Sequence, residues 1–274
     1  MPAAIPPVAN PPLPQEGQWQ VIATANGRPA MAQTFLRPDA VHTSYTVAAI
    51  WWDPNLLGAQ LHPGTAEPGG TGWSVPFLIP PADRTGLLAA FNSGFRLGDA
   101  RGGFYESGRY AKPLVLGGAS MVFYNDGTMT VGQWGRDVTM TPQVAAVRQN
   151  LSLLVDNGQV VPGIDANVQQ AWGVTIGNRK YVWRSGIGVT ATGKIVNVIG
   201  PRLSAQTLAT LLQRAGAVRA MELDINPEWT SFIRYEAQGD PSNPTPVNLL
   251  PTMAQPATRY YVTSARDFVT LYAR

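Results

Sequence analysis

Between Ser204 and Phe232 the sequence SAQTLATLLQRAGAVRAMELDINPEWTSF changes its hydrophobic period abruptly, and that change limits the fold more than any other stretch. Leu208, Leu211, Leu212 and Ala215 recur at i, i+3, i+4 and i+7, which makes one apolar helical stripe. Ser204 is placed to cap its start, and Gly216 sits where a left-handed cap would end it. The period then becomes 2. Met221, Leu223 and Ile225 are expected on one side of a strand, and Ala220, Glu222, Asp224 and Asn226 on the other. Pro227 cannot donate to a ladder and stops it. A polar row at the end of a strand can hold a sugar, or it can be a wet sheet face.

Charged residues are only 14% of the 274, while Gly 28 and Pro 24 exceed usual usage, so strands and turns should dominate. The expected class is α+β: one domain over residues 17–274, mostly antiparallel or mixed strands with a few packed helices. Residues 1–16, MPAAIPPVANPPLPQE, are Pro-rich and read as an extended linker, of the kind that follows a signal or membrane anchor. No run of about 18 apolar residues occurs, so nothing in the sequence reads as a spanning helix. The net charge is +3 with the arginines scattered, which argues against a nucleic-acid partner. With Cys 0 there is neither a disulfide nor thiolate chemistry.

Strands are expected at Gln18–Ile22, Ala30–Leu36, Thr43–Trp52, Leu56–Leu61 and Arg84–Phe91. His62–Trp73 and Leu97–Gly108 are glycine-rich loops. Asn125-Asp126-Gly127 and Asp156-Asn157-Gly158 each mark a hairpin turn. Between them, Pro142 with Val144 and Val147 suggests a short helix over Met140–Asn150. Lys180–Arg184 and Val189–Thr190 read as strands, the latter turning back through Ala191-Thr192-Gly193 into Lys194–Val198. Gly239–Pro256 reads as irregular, and Thr258–Val262 as a last strand. Ser264 with Asp267 resembles a capping box for a final helix carrying Phe268, Leu271 and Tyr272.

His42 and His62 are the whole imidazole supply, without H-E-x-x-H or a G-x-S-x-G elbow, so both read as structural. No phosphate loop of the G-x-x-x-x-G-K-[ST] type occurs either. What remains is oxygen and guanidinium chemistry. Glu222 and Asp224, two apart on a strand, would hold their carboxyls ~6–7 Å apart. Such a pair suits glycosidic cleavage, or is two hydrated acids. Arg184 with Ser185 can bind an anion or form an ion pair. Asn92 is a hydroxyl reader or a turn residue, and Trp229 a sugar platform or a core residue. Asp and Asn oxygens could serve Ca²⁺, for which no loop motif is present.

Three ordered blocks resemble the phosphodiester glycosidase family, which includes the lysosomal uncovering enzyme. They are Ala89-Ala90-Phe91-Asn92-Ser93-Gly94-Phe95, then Arg184-Ser185-Gly186-Ile187-Gly188-Val189 with Gly193-Lys194, then Leu211-Leu212 through Ala215-Gly216-Ala217 to Ala220-Met221-Glu222-Leu223-Asp224. The resemblance, over roughly residues 85 to 232, places Asn92, Arg184 and Asp224 on the family's polar site positions. It departs at Ser93, at Ser185, at Glu222 and at Ile225-Asn226-Pro227-Glu228-Trp229, which stands where the family has a glycine-rich turn. The Pro-rich lead-in and ELDINPEW are similar to a bacterial envelope branch. The resemblance implies an extracytoplasmic hydrolase of a sugar-1-phosphodiester or a related cell-envelope glycan. In it Asp224 acts as stabiliser or nucleophile, Glu222 as base or acid, and Arg184 as phosphate clamp. Asn92 and Asn226 read hydroxyls, Arg96 or Arg101 adds positive charge, and Ser185, Glu228 and Trp229 complete the site, with no cofactor. A glycan-binding module without turnover, or a glycosidase on neutral polymers, remains open on the same residues.

Overall fold

The β-branched and aromatic runs assemble into three antiparallel sheets in a computed structural model that describes residues 1–166 and 171–274. The largest sheet has eight strands, in the spatial order β1 (Gln20–Ala25), β2 (Arg28–Leu36), β3 (Val47–Trp52), β14 (Ile195–Leu203), β13 (Val182–Thr190), β15 (Ala217–Glu222), β11 (Leu153–Asp156) and β12 (Gln159–Val160). A five-stranded sheet runs β7 (Arg109–Lys112), β6 (Phe104–Glu106), β10 (Val144–Gln149), β8 (Ala119–Tyr124), β9 (Met129–Gln133). The other, also of five strands, runs β17 (Thr245–Asn248), β16 (Phe232–Glu236), β5 (Leu87–Asn92), β18 (Phe268–Ala273), β4 (Leu57–His62). Helix is scarce: α1 spans Leu97–Ala100 and α2 spans Ala205–Arg214. The molecule is therefore mostly β, as the predominance of strands predicted, with less helix than an α+β class implies.

One core joins the sheets. Ile50, Trp52, Ile187 and Met221 meet Phe91 and Leu271 from one five-stranded sheet and Met121 and Phe123 from the other. The opposite face of the large sheet is covered by α2, through Leu208, Leu211 and Leu212 against Val196, Val198 and Ala220. Central strands are thus buried on both faces, which is why β3 reads as an unbroken apolar run: Ala48, Ile50 and Trp52 face one core, and Val47, Ala49 and Trp51 the other. Gly186 lets α2 lie this close, because a Cβ there would come within 2.9 Å of Leu212 and 3.0 Å of the Met221 carbonyl. The Ser204 hydroxyl accepts the Thr207 N–H at 3.0 Å, so the expected cap is present.

Thr245–Asn248, within the stretch read as irregular, pairs with β16 as strand β17, and three further expectations fail for a physical reason. Residues 144–149 form strand β10, not a helix. A register shift between Val144 and Ala146 adds an extra residue, which puts Val144 and Val147 on the same face at a helix-like spacing. Phe268–Ala273 is the interior strand β18, between β5 and β4, not a helix. Val269 and Leu271 enter the main core while Phe268 joins a cluster with Leu87 and Ala90 on the other face, so both faces are apolar and the alternation is blurred. Ser264 caps nothing; its hydroxyl donates to the Arg266 carbonyl at 2.6 Å. Thr258–Val262 is not a strand, since Ala257–Tyr261 turn as a 3-10 helix behind Pro256.

Residues 1–16 contain neither helix nor strand, yet they are tied down. Ile5 is buried and donates its N–H to the Gly17 carbonyl at 2.9 Å. Arg37 pairs with Glu16 at 2.9 Å and donates to the carbonyls of Ala9 and Pro11. Among the described residues no helix is long and apolar enough to cross a membrane.

Candidate active site

Strands β5, β13 and β15 bring their ends together where two sheets meet. Asn92, the last residue of β5, donates its amide N–H to the Ser185 hydroxyl at 3.0 Å and accepts the Ser231 N–H at 2.9 Å. The same hydroxyl accepts the Asp224 N–H at 3.2 Å. Backbone pairing continues past the end of β15, with Ser185 donating to the Asp224 carbonyl at 2.9 Å. There the ladder stops, because Asp224 captures its own successors: Oδ1 accepts the N–H groups of Ile225 at 2.7 Å and Asn226 at 2.9 Å. Asn226 repeats the device, its Oδ1 accepting the Glu228 N–H at 3.0 Å.

This turn undoes the expected alternation. Leu223 belongs to the main core, but Ile225 lies in the cluster beneath α2, so the two do not share a face. Glu222 and Asp224 are consequently separated in environment. Glu222, fully buried, is ion-paired with Arg184, also fully buried, and Arg184 Nε donates to the Leu203 carbonyl at 3.0 Å. Among the described residues neither side chain lines the Asp224 cavity or reaches its surface, so Arg184 is not exposed to a phosphate there nor Glu222 to a glycosidic oxygen. They stand behind the site as a support for it. Asn92 and Ser185 likewise staple the two sheets rather than face solvent.

Asp224 does line a cavity, of about 370 Å³. Arg96, Asp99 and Arg101 form one side of it, around α1; Asn226, Trp229 and Arg266 form another. Arg266 Nη2 lies 3.3 Å from Asp224 Oδ2 and 2.9 Å from the Gly94 carbonyl. Its guanidinium stands 5.0 Å from the centre of the Trp229 ring. The α1 segment is anchored from outside the cavity, where Glu67 accepts the Leu97 N–H at 2.9 Å and Lys112 donates to the Leu97 carbonyl at 2.8 Å. Arg101 holds a left-handed φ of 52°, a conformation cheap for glycine and costly for arginine, yet its exposed side chain lines the cavity. Below, Arg148 donates to the carbonyls of Phe95 and Gln149 and pairs with Asp267, fixing the Asn92–Phe95 loop from beneath. Gly94 makes room for that guanidinium, since a Cβ would come within 3.0 Å of it.

Three guanidinium groups against two aspartates leave the cavity net positive, suited to an anion. Burial pushes the Asp224 carboxyl up to about 6, opposed by Arg266 and the two backbone N–H groups and assisted by Asp267. Burial likewise raises Glu222, to about 7, against the pull of Arg184. His62 is structural: burial holds it down at about 4, its Nδ1–H donates to the Pro76 carbonyl at 2.9 Å, and its Nε2 accepts from Thr270 at 3.0 Å. His42 pairs with Asp39 at 2.9 Å. Among the described residues no group of three or more His, Asp or Glu side chains is placed to hold a metal ion.

The sequence profile of the phosphodiester glycosidase family matches residues 89–225, half of the chain. The chain belongs to the phosphodiester glycosidase family. The fold is similar to the catalytic domain of zebrafish N-acetylglucosamine-1-phosphodiester alpha-N-acetylglucosaminidase, auto-inhibited by its pro-peptide, with a TM-score of 0.56 and 14% identity over 94% of this chain and 88% of that one. A hypothetical protein from Synechocystis aligns with a TM-score of 0.50 and 14% identity, over 91% of this chain and 63% of its own. No curated protein sequence matches significantly.

Within this chain, the family's match ends at residue 225, just where the Asp224-capped turn begins. The turn presents Asn226, Glu228 and Trp229 as side chains. Asn226 and Trp229 reach the cavity, whereas Glu228 points to a neighbouring groove and accepts from Gln255 at 2.5 Å. Arg266, Asp99, Arg148 and Asp267 were not legible as site residues. Arg266 and Asp267 lead into a strand read as a helix, and only the pairing of Phe268 with Asn92 brings them beside the site.

Proposed function

We propose that this chain is an extracytoplasmic hydrolase that cleaves the C1–O bond of a sugar-1-phosphodiester in a cell-envelope glycan. The observation carrying this reading is the cavity at residue 224, where one buried carboxylate faces an arginine-rich wall. Arg96 and Arg101 receive the phosphate. Asp224, ionised above about pH 6, stands against the carbon that becomes positive as the bond breaks. The bonding pair of C1–O leaves with the phosphate oxygen. A departing phosphomonoester has a second pKa of about 6, so it needs little help from a general acid. Water then bonds to C1, and Asp99, the exposed carboxylate of the cavity, takes its proton. Arg266 holds Asp224 in position. Asn226, its Oδ1 already engaged, offers its amide N–H groups to sugar hydroxyls. Trp229 forms a wall for the ring.

Hydrolysis of a panel of sugar-1-phosphodiesters tests this. Asp224→Asn is expected to lower kcat by about 10²–10³-fold while the fold, followed by near-UV circular dichroism, is kept. Full turnover by that variant would remove Asp224 from the chemistry. The sealing of Glu222 by Arg184 favours a second reading, a glycan-binding module that no longer turns over. It predicts no hydrolysis of any diester, together with saccharide binding that Asp224→Asn leaves intact.

A further inference from the structure

Among the described residues every buried carboxylate but one has a cationic partner, and the exception is Glu106. Glu16, Asp53, Glu222, Asp224 and Asp267 each pair with an arginine or a lysine. Glu106, the last residue of β6, is only 4% exposed, and its hydrogen-bond partner is Ser74. The Ser74 N–H donates to one carboxylate oxygen at 3.2 Å and the Ser74 hydroxyl to the other. Those neutral donors occupy both oxygens without balancing the charge. Arg109 stands opposite Glu106 in the β6–β7 ladder, but its guanidinium donates to the Thr71 carbonyl and lies 4.5 Å from the centre of the Trp73 ring.

The carboxylate opens instead on a cavity of about 270 Å³, bounded by the outer strand β4 and by β8 and β10. This cavity shares no lining residue with the one at Asp224. Leu61, Val75, Phe123 and Ala146 give it apolar walls, and the exposed Ser107 and Asn125 add polar groups.

We propose that this cavity binds a primary alkylammonium group, with Glu106 as its counter-charge. A cation from outside supplies what the fold gives each of the other buried acids, and away from bulk water the attraction is poorly screened. The walls choose which cation. Apolar side chains suit a hydrocarbon stem behind the charge, whereas a divalent metal ion wants several oxygen ligands. Glu106 is the only acid among the lining residues, and no group of three or more His, Asp or Glu side chains is placed there. An ammonium carries three donors, for which the carboxylate oxygens and the Ser107 hydroxyl are acceptors. A free amine and the lysine of a polypeptide offer the same group.

Isothermal titration calorimetry of the whole chain at pH 7 compares n-butylammonium chloride with 1-butanol, a neutral molecule of similar length. The ammonium is expected to bind about tenfold more tightly, because its hydrogen bonds to Glu106 are charge-assisted. Glu106→Gln is expected to abolish that preference. The new amide can accept the Ser74 N–H and donate to the Ser74 hydroxyl, and no ion pair is broken, so the melting temperature should not fall. A blocked peptide with lysine between two valines reads the source. Tighter binding than n-butylammonium assigns the group to a polypeptide and weaker binding to a free amine, and either order upholds the site. Equal affinity for the ammonium and the alcohol, or a preference that Glu106→Gln leaves unchanged, overturns the inference. So does displacement of the amine by calcium chloride but not by sodium chloride of equal ionic strength, which would mark a metal site. A marked fall in the melting temperature of Glu106→Gln would reveal a cationic partner within the fold, and would overturn it as well.

Discussion

At the scale of single residues, the two raised carboxylates set opposing demands on pH. Asp224 titrates at about 6 and Glu222 at about 7 in the folded chain, both above their unfolded values. Between pH 4 and 7 the native state thus binds protons that the unfolded state has released, and stability falls as pH rises through those values. Glu16, Asp39, Asp53 and Asp137 are held below the usual range, so their contribution is lost only under stronger acid. The melting temperature is expected to be higher at pH 5 than at pH 8, with the gap reduced in Asp224→Asn. Activity should run the other way. If the ionised carboxylate is the working form, kcat/KM rises with an apparent pKa near 6, and a flat profile from pH 5 to 8 would argue against it. Arg184→Met isolates the role of the buried pair. It leaves Glu222 without its partner and is expected to cost about 3–5 kcal/mol at pH 8, but less at pH 5, where Glu222 protonates. Denaturant titrations at the two pH values read this directly.

At the scale of elements, α2 and the strands beneath it carry the best-defined energetics. Leu212 is fully buried between the helix and the large sheet, so Leu212→Ala is expected to destabilise by about 2–5 kcal/mol. Ser204→Ala removes one cap and is expected to cost about 1 kcal/mol, which chemical denaturation can resolve from the larger loss. Gly186 of the Arg184–Val189 block serves this same packing, whereas Gly188 gives room to the neighbouring strand β15. A side chain at Gly186 would collide with Leu212, so that motif is a helix seat rather than a cradle for ligand. The short α1 works differently. It buries only Leu97 and Ala100 and depends on Glu67 and Lys112 for its position, yet it sets Arg96, Asp99 and Arg101 along the cavity.

At the scale of the whole molecule, the site exists because two sheets meet. Asn92 on one and Ser185 on the other close that junction, with Asp224 hung from the same hydroxyl. Asn92→Ala would leave the buried Ser231 N–H without its acceptor and remove one of the partners of the Ser185 hydroxyl. It is expected to cost about 1–3 kcal/mol, and to lower turnover although Asn92 touches no solvent-filled space. A variant with wild-type stability and wild-type rate would show that the staple does not position Asp224.

Local chemistry was enough to write α2, its cap and both Asp/Asn-Gly hairpins into the sequence, because each depends on neighbours within a few residues. The strands β10 and β18 were not legible, since a bulge in one and burial on both faces of the other erase the period that distinguishes strand from helix. The same limit applies to the site. Spacing put Glu222 beside Asp224, and the family resemblance implied that Arg184 would meet a phosphate. Pairing across β13 sealed Glu222 and Arg184 against each other, and the Asp224 turn directed the remaining carboxylate toward Arg266, forty-two residues away along the chain. Which charges are neutralised in the core and which are left to meet a ligand is decided by contacts between distant strands, and no local period encodes them.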